Sequence, residues 1–260
     1  MKLLQRGTIL LFILVLAAFV GMKVYISNTV DRVPPVISYD SDVIEVPVGV
    51  SRSRLLQGVT AMDDRDGDLS GQIMVKGITN LIGADTAKVT YIVFDAANNM
   101  TTASRTVRYT NYEKPQFSLT APLVFPVGGT VSLLDRLTAT DVIDGDISSG
   151  IRVITQNVNN NVAGVYNVTV QVSNSLGDVE TLPLKVVVGI IPYSNQRVTL
   201  SQYIVYLERN GDFDPADYIL TPEDTGTVEI VNPVDTAVPG VYEVTYTVRD
   251  YTAYQTVVVK

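Results

Sequence analysis

One eleven-residue phrase in this chain is spoken twice. Thr60-Ala61-Met62-Asp63-Asp64-Arg65-Asp66-Gly67-Asp68-Leu69-Ser70 returns 78 residues later as Thr138-Ala139-Thr140-Asp141-Val142-Ile143-Asp144-Gly145-Asp146-Ile147-Ser148. A self-repeat of that period is about one small β-sandwich long, so the chain reads as a string of modules. A length of 260 residues leaves room for three of them behind a short leading segment.

Strand signals recur with the phrase. Pro34-Pro35 opens the first module and Lys114-Pro115 the second, while Val46-Pro47-Val48-Gly49 returns as Phe125-Pro126-Val127-Gly128. Proline suits the start or edge of a strand, and glycine suits the turn that follows. Late in each module comes a strand: Val89 to Asp95, Val168 to Asn174, and Val244 to Asp250. The last two alternate apolar and polar residues, as a strand with one face in a core requires. Each leads through a short polar turn to a second β-rich run ending at Tyr109, Val188 or Val259, which predicts a terminal hairpin three times over. The third module, from about Ile191, lacks the aspartate phrase and reads Asn210-Gly211-Asp212-Phe213-Asp214-Pro215 in its place. Helix is expected in the modules only as single turns near Leu55-Leu56 and Leu133-Leu134.

The leading segment is different in kind. Residues 7–26 are 20 almost uninterrupted apolar positions behind Lys2 and Arg6, long enough to cross a bilayer as a helix. Lys23 and Tyr25 suit the far interface. A cleaved signal peptide has the same basic start. Here Ala17 and Ala18 run into Phe19, Val20 and Met22 without a small-x-small cleavage site, which favours a retained anchor. The positive-inside tendency places residues 1–6 in the cytoplasm and 27–260 outside.

Composition removes whole classes of chemistry. Cysteine, histidine and tryptophan are absent. Disulfides, thiolate nucleophiles, serine–histidine triads and histidine- or cysteine-ligated metals are therefore excluded. Three of the 19 basic residues precede residue 27, so 16 remain against 27 acidic side chains in the rest. A surface that acidic repels phosphate backbones, and no nucleic-acid partner is expected.

Asp-x-x-Asp-Gly-Asp-(Leu/Ile)-Ser, the alternating strand with its closing aspartate, and the spacing between copies together resemble the bacterial immunoglobulin-like repeats of Gram-positive surface proteins and some insecticidal crystal toxins. The resemblance covers residues 34–260, and the second module departs from it by closing on Asn174. It implies an all-β chain of tandem immunoglobulin-like β-sandwiches behind an N-terminal transmembrane helix, used as spacer, stalk or adhesive unit. The expected divisions are a cytoplasmic end at 1–6, a signal anchor at 7–26, a linker at 27–33 and domains at 34–111, 112–190 and 191–260. Fold alone does not settle function.

Two sets of residues are candidates for a site. Asp63, Asp66 and Asp68, and their copies Asp141, Asp144 and Asp146, supply hard oxygen donors at the short spacing that suits Ca²⁺. No glutamate follows at the twelfth position, so the clusters are not EF-hand loops. The competing reading is a turn whose aspartates accept backbone N–H groups while Gly67 or Gly145 supplies a positive φ. Tyr251 and Tyr254, in or beside the last hairpin turn, are candidate aromatic contacts for a protein or surface-polymer partner.

The function these features lead to is non-catalytic. The chain is expected to be a membrane-anchored extracytoplasmic protein, bacterial and Gram-positive in type, displaying three domains for adhesion, spacing or assembly. A structural or decoration subunit of a phage or secretion assembly is the alternative. A carboxylate-dependent hydrolase is more remote, because nothing in the sequence pairs two aspartates in a pocket.

Overall fold

A computed structural model of the chain describes residues 2–191, 193, 196–220 and 226–260. Met1 and the side chains of Lys2, Leu3 and Leu4, in the expected cytoplasmic end, lie outside the described residues, as do the side chains of Ser27, Asn28 and Thr29 in the expected linker and parts of the region expected to form the third domain. The chain is all-β behind one long apolar helix, and it divides into two compact units, residues 1–110 and 111–260.

Helix α1 runs from Lys2 to Thr29. Leu, Ile, Val and Ala fill it, proline is absent, and its apolar residues surround the axis instead of lying on one face. Its stretch Gln5–Ile26 is 22 residues long and buries nothing against the protein. At a rise of about 1.5 Å per residue that stretch spans about 33 Å, enough for a hydrocarbon core of about 30 Å.

The rest of the first unit is a sandwich of two sheets. One holds β1 (Val36–Tyr39), β3 (Val59–Asp63) and β4 (Gly67–Asp68), in the order β1-β3-β4. The other holds β2 (Val43–Val46), β5 (Met74–Ile78), β6 (Thr86–Phe94) and β7 (Met100–Tyr109), in the order β2-β7-β6-β5. Strand β2 runs parallel to β7, and the remaining pairs are antiparallel. A single helical turn, α2 (Arg52–Leu55), crosses between them and drops Leu55 into the core. Alternation along β6 sends Ala87, Val89, Tyr91 and Val93 inward. Arg105 of β7 is also buried. Its Nε donates to Tyr91 Oη at 3.2 Å, and its Nη2 donates to the carbonyls of Leu55 and Gln57 at 3.1 and 2.9 Å. The Tyr91 hydroxyl in turn donates to the Leu55 carbonyl at 2.7 Å, so this polar group is satisfied inside the sandwich.

The second unit opens with the same plan. Strands β8 (Gln116–Leu119), β10 (Leu137–Asp141) and β11 (Gly145–Asp146) form one sheet. Strands β9 (Val124–Pro126), β12 (Arg152–Gln156), β13 (Gly164–Ser173) and β14 (Val179–Gly189) form the other, with β9 parallel to β14. Even the irregularities repeat: β5 shifts register between Val75 and Gly77, and β12 shifts between Val153 and Thr155. The Tyr91–Arg105 pair does not repeat. Val170 and Leu184 hold those register positions, and the core there is apolar.

A third four-stranded sheet follows, formed by β15 (Ile204–Leu207), β16 (Glu229–Val231), β17 (Gly240–Val248) and β18 (Tyr251–Val259). Strand β15 runs parallel to β18, as β2 does to β7 and β9 to β14. Among the described residues its facing layer holds only one bridge, Leu200 to Ile219, beside the 3-10 turn Pro215–Tyr218. This sheet shares apolar contacts with the sandwich before it: Ile204 and Val258 pack into the core built on Phe117, Leu123 and Phe125.

Candidate functional site

The repeated phrase is a β-turn and a 3-10 turn built by its own side chains. Asp63 ends β3, and its Oδ1 accepts the N–H groups of Arg65 and Asp66, both at 2.9 Å. Gly67, at φ +74°, starts the return strand β4. Asp68 Oδ1 accepts the Ser70 N–H at 2.8 Å, and Ser70 Oγ accepts the Ala61 N–H at 3.1 Å. Asp66 reaches further, and its Oδ2 accepts the Ala96 N–H at 2.7 Å in the β6–β7 turn.

The second copy repeats each bond. Asp141 Oδ1 accepts the N–H groups of Ile143 and Asp144 at 2.8 and 3.1 Å, and Gly145 sits at φ +72°. Asp144 holds Ser175 through the backbone N–H at 2.6 Å and the hydroxyl at 2.7 Å. Asp146 accepts the Ser148 N–H at 2.9 Å. These bonds depress the carboxyl pKa values: backbone N–H groups of Asp66 and Arg65 lower that of Asp63, and the hydroxyl and N–H of Ser70 and Ser148 lower those of Asp68 and Asp146. Asp66, Asp68, Asp144 and Asp146 thus serve as acceptors for turn N–H groups.

Among the described residues, carboxylates converge in one trio, and one of its members comes from the phrase. Asp31, Asp63 and Asp95 each place a carboxylate oxygen within 4.8 Å of the other two. Asp31 lies on the segment after α1, and Asp95 opens the β6–β7 turn. Asp31 Oδ1 accepts the Val33 N–H at 3.0 Å, while Asp95 accepts the backbone N–H and the side-chain amide of Asn99, both at 2.7 Å. Arg65 Nε stands 4.0 Å from Asp31 Oδ2. Asp63 is 8% exposed, and its Oδ2 is buried with no hydrogen-bond partner.

The second sandwich resolves the same place differently. Asn111 stands four residues before the buried Pro115, as Asp31 stands four before the buried Pro35. Asn174 replaces Asp95 at the head of the hairpin turn, and Ile143 replaces Arg65. Asn174 Nδ2 donates to Asp141 Oδ2 at 3.2 Å and to the Tyr112 hydroxyl at 2.9 Å, and that hydroxyl donates to Asp178 at 2.7 Å. The oxygen that is orphaned on Asp63 is therefore satisfied on Asp141. The sequence held a trace of this difference in the closing aspartate and its replacement by Asn174. Asp31 could not be found that way, since it belongs to the linker and not to any repeated motif.

For Tyr251 the expected exposure in or beside the turn needs correction. Tyr251 is 8% exposed and belongs to the core of the third sheet, with Tyr203, Val205 and Tyr246. The turn before it is only Arg249-Asp250, so Tyr251 pairs with Val248 as the first residue of β18 and points inward. Tyr254 lies on the opposite face of β18, half-buried beside Leu184 and Lys185 of the preceding sandwich.

No family model matches the chain. By sequence it is similar to pesticidal crystal protein Cry22Aa of Bacillus thuringiensis, at 36% identity over 139 residues, 48% of this chain. The match spans 18% of that protein's length. Among solved structures, the CBM51-2 and INT domains of Clostridium perfringens ZmpB, in complex with GlcNAc, align over 57% of this chain and 26% of theirs (17% identity, TM-score 0.25). The S-layer protein rSbsC aligns over 88% of this chain and 40% of its own (12% identity, TM-score 0.20).

Proposed function

We propose that this chain is a membrane-anchored extracytoplasmic protein whose tandem immunoglobulin-like domains, three by our division, hold a binding or spacing surface away from a bacterial cell membrane without catalysis. The observation that carries the reading is in α1: its 22-residue stretch Gln5–Ile26 is long enough to span a bilayer, is covered by no other described part of the protein, and precedes the β-sandwiches. Exposing that much apolar surface to water is unfavourable by about 25 cal/mol per Å², so a lipid environment is its natural partner. The acidic side chains of the modules support display in solvent, away from nucleic acid. The absence of histidine and cysteine, with the phrase aspartates held in turns, supports a non-catalytic role.

Fractionation of the native host with N-terminal sequencing tests this. The protein should stay with membranes until detergent is added, retain residues 7–26, and be shaved from intact cells by protease. A mature N-terminus between residues 18 and 30 would refute the anchor.

A further inference from the structure

We propose that Asp31, Asp63 and Asp95 bind one Ca²⁺ ion, which fastens the segment leaving α1 to the first sandwich. The ligand set is made of three carboxylates with no nitrogen or sulfur donor, the preference of a hard cation. Oxygens bound to one ion at about 2.4 Å can stand no more than about 4.8 Å apart. All three carboxylates meet that limit.

Clustered acids alone would not make a site, but two further observations point to a ligand. Asp63 Oδ2 is buried without a hydrogen-bond donor. Its other oxygen already accepts the backbone N–H groups of Arg65 and Asp66, so no turn donor remains for Oδ2. The second sandwich then acts as an internal control. There Asn111 and Asn174 replace two of the three acids, and the Asn174 amide donates to the matching oxygen of Asp141. One copy of the fold supplies a proton donor at this point, and the other supplies three acids. Arg65 lies nearby, with Nε 4.0 Å from Asp31 Oδ2 and a side chain 43% exposed, and no Arg65 donor reaches the Asp63 Oδ2 oxygen.

Position gives the ion a role. Asp31 lies two residues beyond the end of α1 at Thr29, whereas Asp63 and Asp95 sit on the sandwich. With Ca²⁺ bound, the joint at the root of the first domain is stiff. Without it, mutual repulsion loosens residues 30–33. This holds whether or not α1 resides in a membrane.

The full chain in detergent micelles, stripped with EDTA, would be titrated with CaCl₂ by calorimetry and followed by hydrogen-exchange mass spectrometry. We expect one ion per chain. At about 100 times its Kd, Ca²⁺ should slow exchange about 100-fold at amides that open with the site, in residues 31–33, 63–68 and 95–99. Residues 141–148 and 174–178 should not respond. Asp95→Asn copies the second sandwich, so it should keep the parent's circular dichroism and its melting temperature in EDTA while losing Ca²⁺ binding about 100-fold. No heat and no protection up to about 10 mM Ca²⁺, well above the weakest extracellular sites, would overturn the proposal. So would protection centred on residues 141–148, undiminished binding by Asp95→Asn, or equal binding of Mg²⁺.

Discussion

The hydroxyl of Tyr206 accepts a hydrogen bond from the backbone N–H of Phe117 at 2.8 Å, across 89 residues of sequence. Phe117 lies on β8, the edge of its sheet, where an outward N–H has no strand to pair with. Tyr206 comes from β15 of the third sheet and closes that edge. Tyr206→Phe should leave a part-buried N–H unpaired and cost about 1–2 kcal/mol. Urea unfolding of the full chain would show this as a lower midpoint for the transition of residues 111–260, and an unchanged midpoint would refute the role.

Buried phenols also set an alkaline limit. Burial raises Tyr206 and Tyr251 from the usual value near 10 to about 12. The folded state holds these protons more tightly than the unfolded chain, so the stability they contribute is intact below pH 10 and lost as pH rises toward 12. Phenolate absorbance should lag behind that of free tyrosine and then rise together with loss of β-sheet circular dichroism. Full tyrosine ionisation in a still-folded protein would contradict this.

The first unit hides a coupled pair. Arg105→Leu leaves the carbonyls of Leu55 and Gln57 with one donor fewer each and should cost about 2–4 kcal/mol. Tyr91→Val with Arg105→Leu copies the arrangement of Val170 and Leu184, and should cost at least about 1 kcal/mol less than the two single changes together. Additive effects in a double-mutant cycle would show that the two residues act independently.

Backbone conformation makes a separable contribution. Added Cβ atoms at Gly67, Gly145 and Gly71 would each meet nothing within 4 Å, but only the first two have positive φ. Gly67→Ala and Gly145→Ala should therefore each cost about 1 kcal/mol, while Gly71→Ala should be close to neutral. Thermal unfolding would decide it, and equal effects at all three positions would count against the φ argument.

Much of this architecture is local and was legible in the residues. The hairpins β6–β7, β13–β14 and β17–β18 follow from alternation with period two, which records which face of a strand meets the core. The single helical turns appear where leucine pairs interrupt strand patterning, as α2 and the 3-10 turn Leu134–Arg136. The phrase aspartates fold their own turns, because each donor they bind on the phrase is two or three residues away.

Distance in sequence marks what was hidden. Tyr251 looked like a loop residue, and its burial depends on a turn just two residues long, a matter of hairpin register. Asp31 and Asp95 each lie 32 residues from Asp63, and no periodicity links them. Their convergence depends on the packing of one sheet on the other and on the path of the linker. The sequence by itself determined strands, turns, repeats and an apolar span, because these depend on neighbours a few bonds away. The tertiary structure alone decided which side chains meet across the sandwich: an orphaned carboxylate oxygen in one copy, and in the other an amide that satisfies it.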